Sequence, residues 1–148
     1  IPSKFNPASI QEQELLTWEE KGLVELWGYR NDMENVLSNA TIVVLPSYRE
    51  GFPKILIEAA SCGRVIITTN VPGCRDAIEK DVTGLLVPVR NARILAKAVS
   101  ELLSDRGLCK KMGVAGRERA ERLFDIKKIV KEHIDIYKQL SRNNKVLR

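Results

Sequence analysis

Along this chain, short apolar runs bounded by turn residues alternate with longer stretches in which apolar residues return every three or four positions. The runs Leu23–Trp27, Thr41–Leu45, Val65–Thr69 and Gly84–Val89 read as strands. The longer stretches carry helix start and stop signals. Ser9-Ile10-Gln11-Glu12 has the form of a capping box, and the helix it opens runs to about Lys21 before Gly22. Asn31 or Asp32 caps a short helix over Met33–Ala40. A helix follows from Pro53 to about Cys62, ended by Gly63. After a turn at Asn70–Gly73, Cys74–Lys80 forms another. Asn91 caps a helix with Ile94, Leu95, Ala98, Leu102 and Leu103 at helical spacing, and Ser104-Asp105 starts one over Arg106–Phe124. Asp125 caps the last, with Ile126, Ile129, Val130, Ile134, Tyr137 and Leu140 on one face. Ile1–Ala8, with two prolines, is irregular.

This alternation predicts an α/β fold, a Rossmann-like parallel sheet sandwiched by helices, with a helix-rich C-terminus. The late helices have no strands of their own, so they must cover the sheet or a neighbouring domain. Ligands of open parallel sheets bind at the carboxyl ends of the strands. Four loops fall there: Gly28–Arg30, Pro46–Pro53, Asn70–Gly73 and Val87–Arg90. Glycine in three of them lets backbone approach a ligand closely. Neither G-x-G-x-x-G nor the P-loop pattern occurs.

Within the second loop, the stretch Ser47–Glu58 concentrates the chemistry. It holds two carboxylates, Glu50 and Glu58, with seven residues between them, and Gly51 and Pro53 inside the interval. Pro53 belongs at the helix start, so Glu50 lies in the turn and Glu58 in the second helical turn, roughly 7 to 8 Å along the axis at ~1.5 Å per residue. Ile55, Leu56, Ile57, Ala59 and Ala60 surround Glu58 with apolar residues. That predicts a buried helix and a buried carboxylate, which requires donors from a ligand, a lysine, a backbone amide or water. The free amides at the start of this helix suit a phosphate.

Size and composition narrow the class. At 148 residues, 44% hydrophobic and 29% charged, residues 1–148 read as one globular domain. The start at Ile1-Pro2 reads as part of a longer protein. The net charge of +5 is mild, and its excess sits late, at Lys127, Lys128, Lys131, Lys138, Arg142, Lys145 and Arg148. Such a tail reads as a solvated helix face, with an anionic membrane surface or nucleic acid as the sharper alternative. With 5% aromatic residues and none interleaved with the basic ones, no base-stacking platform for nucleic acid is expected. Cys62, Cys74 and Cys109 form no metal or disulfide pattern and suit a reducing compartment. His133 reads as a packing or surface residue. No run reaches membrane-spanning length.

Glu50-x7-Glu58 with its flanks Leu45-Pro46-Ser47 and Ala59-Ala60-Ser61-Cys62-Gly63, followed by Val65–Gly73 and Gly84–Pro88, closely resembles the signature of retaining GT-B glycosyltransferases of group 1, family 4 type. The resemblance covers residues from about 9 to 140. It implies the C-terminal, donor-binding domain of such an enzyme, incomplete at its N-terminal edge, and is nearest to the bacterial capsule, O-antigen and N-glycan-pathway subgroup. The full-length enzyme would transfer a hexosyl or N-acetylhexosaminyl group from a nucleotide-sugar, a UDP-sugar in this subgroup. Its acceptor would be a saccharide or a polyprenyl-diphosphate-linked acceptor, at the cytoplasmic face of the membrane and with peripheral membrane association.

By position, the resemblance gives Glu50 the donor sugar and Glu58 the ribose hydroxyls. It gives the sugar and diphosphate to Gly51, Phe52, Pro53, Lys54 and Ile55, and the base to Gly28, Tyr29 and Arg30. No metal and no cofactor are expected. Front-face displacement is favoured over a double displacement, because only Glu50 would stand near the sugar.

One departure stands out. The family's Gly-Arg-Leu…Lys-Gly loop, whose Arg and Lys clamp phosphate, has no counterpart before Ser9, and the acceptor domain is missing as well. The isolated chain is therefore expected to be inactive. Arg30, Arg49, Lys54 and Arg75 are placed either to assist or to serve as surface charges. The competing readings are a glycogen- or sucrose-synthase-like transferase, a sugar-nucleotide epimerase, a phosphate-sensing or protein-interaction module, and nucleic-acid binding through the basic tail, which predicts a strongly salt-dependent affinity.

Overall fold

The computed structural model describes residues 10–144, and the chain forms two compact units, one up to Met33 and one from Glu34 onward. In the first, helix α1 spans Glu12–Glu20. Its N-cap is Gln11, without a side-chain cap, so Glu12 takes the first helical position instead of closing a capping box. Ser9, the expected cap, lies outside the described residues. The far end follows expectation. Gly22 adopts φ 66°, its N–H donates to Glu19 O at 2.8 Å, and the Leu23 N–H donates to Trp18 O at 2.9 Å.

The expected strand at Leu23–Trp27 does not form. These residues are exposed and join no ladder; instead Leu26 N–H donates to Glu19 Oε1 at 2.8 Å. Alternation makes a strand only where a neighbouring strand supplies partners, and among the described residues none pairs with this run.

The second unit holds the sheet. After α2 (Met33–Asn39) come β1 (Ile42–Leu45), α3 (Lys54–Ser61), β2 (Val65–Thr69), α4 (Pro72–Ala77) and β3 (Gly84–Val87). Then follow α5 (Ala92–Ser104), α6 (Arg106–Leu123) and α7 (Ile126–Asn144). The three strands are parallel in the order β1-β2-β3, with Ile42 opposite Val65 and Ile66 opposite Gly84. The α/β, Rossmann-like reading is borne out. Every residue of β2 is buried, whereas in β1 Val44 is 39% exposed.

On one face, Val65, Ile67 and Val87 pack with Ala98 and Leu102 of α5 and Met112 of α6. Helices α3 and α4 adjoin β2, and α6 lies along α3. α3 ends in a second glycine turn, with Gly63 at φ 67°. α4 begins two residues earlier than its pattern indicates, because Pro72 fits the first helical position and Val71 serves as N-cap.

The predicted caps of the last helices are present. Asn91 Oδ1 accepts from Ile94 N–H at 3.0 Å, Asp105 Oδ1 from Leu108 N–H at 2.8 Å, and Asp125 Oδ1 from Lys127 N–H at 2.8 Å. Asp105→Ala is expected to lower unfolding free energy by about 1 kcal/mol, read from urea denaturation. α5 and α6 cover the sheet as expected. On α7, Ile126, Val130, Ile134, Tyr137 and Leu140 stay exposed, as does His133. Of the basic tail, Lys127, Lys128, Lys131 and Lys138 are exposed, and Lys145 and Arg148 lie outside the described residues. No helix among the described residues is long and apolar enough to cross a membrane.

The Cys109 thiol is pushed up by burial and, secondarily, by the charge of Asp105, and it donates to Leu102 O at 3.0 Å. All three cysteines are free.

Candidate functional site at the carboxyl edge of the sheet

Three loops of the second unit follow the carboxyl ends of its strands, and the first of them carries Glu50. Backbone pairing of β1 with β2 ends at Leu45 and Thr68, because Pro46 has no N–H to continue it. Side chains take over. Thr68 Oγ1 donates to Leu45 O at 2.8 Å, and Thr69 Oγ1 donates to Ser47 O. Ser47 Oγ then donates to Glu50 Oε1 at 2.5 Å. Glu50 is half-buried.

The loop after β2 closes against the same turn. A Cβ built on Gly73 would fall 2.0 Å from Gly51 O and 2.7 Å from Glu50 O. This corrects one use expected of the loop glycines. Gly73 admits the protein's own backbone, while Gly51 has open space on its Cβ side. From the third loop, the Arg90 guanidinium lies over the Tyr48 ring at 5.3 Å, and the Asn70 N–H donates to Val87 O at 2.8 Å. Arg75 Nη1 donates to Asn70 Oδ1 at 3.2 Å.

Beyond the turn, Phe52 packs edge-on against Phe124 with ring centroids 5.5 Å apart. Arg119 lies over the Phe124 ring and donates to the carbonyls of Asp76 and Ala77, tying the end of α4 to the end of α6. Pro53 is the N-cap of α3. It is buried, offers no side-chain cap, and is followed by no acidic residue in the first turn. The positive end of α3 is thus uncompensated by its own side chains. Lys54 is exposed and Ile55 half-buried. Among the expected diphosphate ligands, Pro53 can shape the site but cannot donate.

Glu58 departs from expectation: it is exposed. α3 buries Leu56, Ala59 and Ala60, while Lys54, Glu58 and Ser61 share its open side. The apolar residues flanking Glu58 in sequence point away from it, since neighbours in sequence stand about 100° apart around a helix. The carboxylate therefore needs no buried donor and is free to meet a ligand from solvent.

Gly28, Tyr29 and Arg30 belong to the first unit. Gly28 has φ 63°, and Tyr29 is 88% exposed. Arg30 pairs with Asp32 at 2.5 Å and lies over the Trp27 ring; the hydrogen bond and charge of Asp32 raise its pKa. Arg49 and Arg75 are exposed.

Ser47, Thr69 and Gly73 were not singled out by the sequence reading. A signal existed for Thr69: two hydroxyls at the end of an apolar strand must find acceptors once buried.

Fold and turn define a strand–turn–helix at the carboxyl edge of a parallel α/β unit. The chain belongs to the Glycosyl transferases group 1 family, whose profile matches residues 11–119. It is 34% identical over 123 residues to the N,N'-diacetylbacillosaminyl-diphospho-undecaprenol alpha-1,3-N-acetylgalactosaminyltransferase of Campylobacter jejuni, covering 82% of this chain and 32% of that protein. It is 31% identical to the capsular polysaccharide biosynthesis glycosyltransferase CapM of Staphylococcus aureus, covering 87% and 34% respectively. The sucrose-phosphate synthase of Thermosynechococcus elongatus superimposes with a TM-score of 0.79 at 30% identity, over 88% of this chain and 34% of that one. The resemblance read from the motif residues is borne out. The chain spans about a third of the length of these relatives.

Proposed function

We propose that this chain is the donor-binding domain of a longer retaining glycosyltransferase, which moves a hexosyl or N-acetylhexosaminyl group from a UDP-sugar to a lipid-linked saccharide. The observation that carries this reading is Glu50, held in a braced turn immediately before the uncapped start of α3, with Glu58 on the open side of the same helix. The Campylobacter relative's lipid-linked acceptor and N-acetylhexosaminyl group support the substrate class.

In this reading, Glu50 orients the donor sugar, and the amides of Gly51, Phe52, Lys54 and Ile55 with the α3 dipole hold the diphosphate. Glu58 accepts from the ribose hydroxyls. Departure of a nucleoside diphosphate calls for charge stabilisation more than for a protonating acid. With Glu58 on the ribose, only Glu50 stands near the sugar, so no second carboxylate serves as nucleophile and displacement occurs on the front face through an oxocarbenium-like state. The sequence holds no paired-aspartate motif, and the proposal is metal-independent transfer, with activity persisting in EDTA. The acceptor is read by a domain outside this chain, and the whole enzyme works at the cytoplasmic membrane face as a peripheral protein.

The test is titration of the full-length protein with UDP, GDP and ADP, followed by amide chemical shifts. Shifts across Gly51–Glu58 with UDP support the reading; no shift with any nucleotide favours an interaction module. Glu58→Gln is expected to weaken UDP binding about tenfold with little change in turnover at saturating donor, since a charge-assisted hydrogen bond becomes a neutral one. The sugar linkage formed, read by NMR as retained or inverted, checks the stereochemistry. Likeness to sucrose-phosphate synthase keeps a soluble sugar-phosphate acceptor as the second reading, separated by acceptor profiling.

A further inference from the structure

We propose that Ser47 and Thr69 are positioning residues for Glu50, forming a hydroxyl relay that extends the β1–β2 ladder into the turn and fixes one oxygen of the carboxylate. The proposal rests on the reading of Glu50 as the group that faces the donor sugar.

The relay begins where the backbone ladder stops. Pro46 interrupts the donors of β1, and one residue beyond it the Ser47 carbonyl accepts from the Thr69 hydroxyl. Thr69 is 2% exposed. A buried hydroxyl with a single donor must commit it to an acceptor, so Thr69 holds the Ser47 backbone in place without competition from water. Ser47 Oγ, standing on that fixed backbone, donates to Glu50 Oε1 at 2.5 Å.

A free glutamate on a turn samples many rotamers, and ordering it costs conformational entropy at the moment of binding. Here one oxygen is already engaged, while Oε2 keeps its acceptor capacity for sugar hydroxyls. The turn is also blocked from behind, because the Gly73 backbone stands where any side chain would collide with Gly51 O. A carboxylate that must orient a sugar within a fraction of an ångström benefits from this support, since small misplacements cost turnover steeply.

The alternative is that the hydroxyls only staple the loop. Kinetics of the full-length enzyme with saturating acceptor distinguish the two. Ser47→Ala is expected to lower kcat about tenfold, with UDP affinity and melting temperature nearly unchanged. Thr69→Val is expected to act in the same direction and Thr69→Ser to restore the wild-type rate; the serine variant keeps the test valid where valine impairs folding. In a Glu50→Ala background, Ser47→Ala should lower kcat no further, because a residue acting through Glu50 has nothing left to position.

The proposal is overturned by an undiminished Ser47→Ala effect in the Glu50→Ala background, by a fall in melting temperature without a fall in kcat, or by normal turnover in Ser47→Ala. These results are separable from failure of the parent reading. If Glu50→Ala itself leaves kcat intact, the role of Glu50 falls and the relay with it. If Glu50→Ala is impaired and Ser47→Ala is not, only the relay falls.

Discussion

Glu50→Ala in the full-length enzyme is expected to lower kcat about 100-fold while UDP affinity stays within about threefold. The split follows from where the two carboxylates sit. Glu50 is half-buried in the turn and already holds the Ser47 hydroxyl; Glu58 is exposed on α3. A group that orients the sugar acts chiefly on the transition state, as positive charge develops at the anomeric carbon, and its loss appears in kcat. A group that holds ribose binds ground state and transition state alike, and its loss appears in affinity. Steady-state kinetics with donor and acceptor varied, alongside calorimetric UDP binding, give both numbers. Loss of UDP affinity in Glu50→Ala with normal turnover would reverse the assignment of the two glutamates.

Gly73→Ala should be the most disruptive single-methyl change in the domain's ligand edge, lowering stability by about 3 kcal/mol. The new Cβ would stand 2.0 Å from Gly51 O and 2.5 Å from Gly51 C. Both obstacles are backbone, so no side-chain rotation relieves the clash, and either α4 or the Glu50 turn must move. For a domain of this size the loss corresponds to a fall in melting temperature of roughly 10 °C, measured by circular dichroism. If the turn yields instead of the helix, kcat falls together with stability. A melting temperature within about a degree of wild type, against that scale, would show that the two loops separate at little cost. Gly51→Ala is the control, since its added methyl meets open space.

The exposure of Glu58 shows how sequence and structure divide the information. Five apolar neighbours in sequence made the carboxylate read as buried, yet burial on a helix is decided by azimuth. Leu56, Ala59 and Ala60 lie on the buried side; Glu58 shares the other with Lys54 and Ser61. The strand expected at Leu23–Trp27 failed for a related reason. Alternation marks a segment fit to pair, and the partner is a property of the rest of the fold. The helix ends set by Asn91, Asp105, Asp125, Gly22 and Gly63, by contrast, were legible nearly to the residue, because these residues act on amides and carbonyls a few positions away; the starts of α1 and α4 were not.

By itself, the sequence determined features whose causes are local: the apolar segments that became β1, β2 and β3, the caps of α5, α6 and α7, the glycine stops after α1 and α3, and a turn placing Glu50 before α3 and Glu58 within it. The motif residues were enough to name the family. Only the tertiary structure decided which side chains brace the turn. Thr69 and Ser47 are 22 residues apart and meet because parallel pairing of β1 and β2 brings their carboxyl ends together. Gly73 meets Gly51 across two loops for the same reason. Contacts of that kind depend on how strands register and helices cross, which no short window of residues contains.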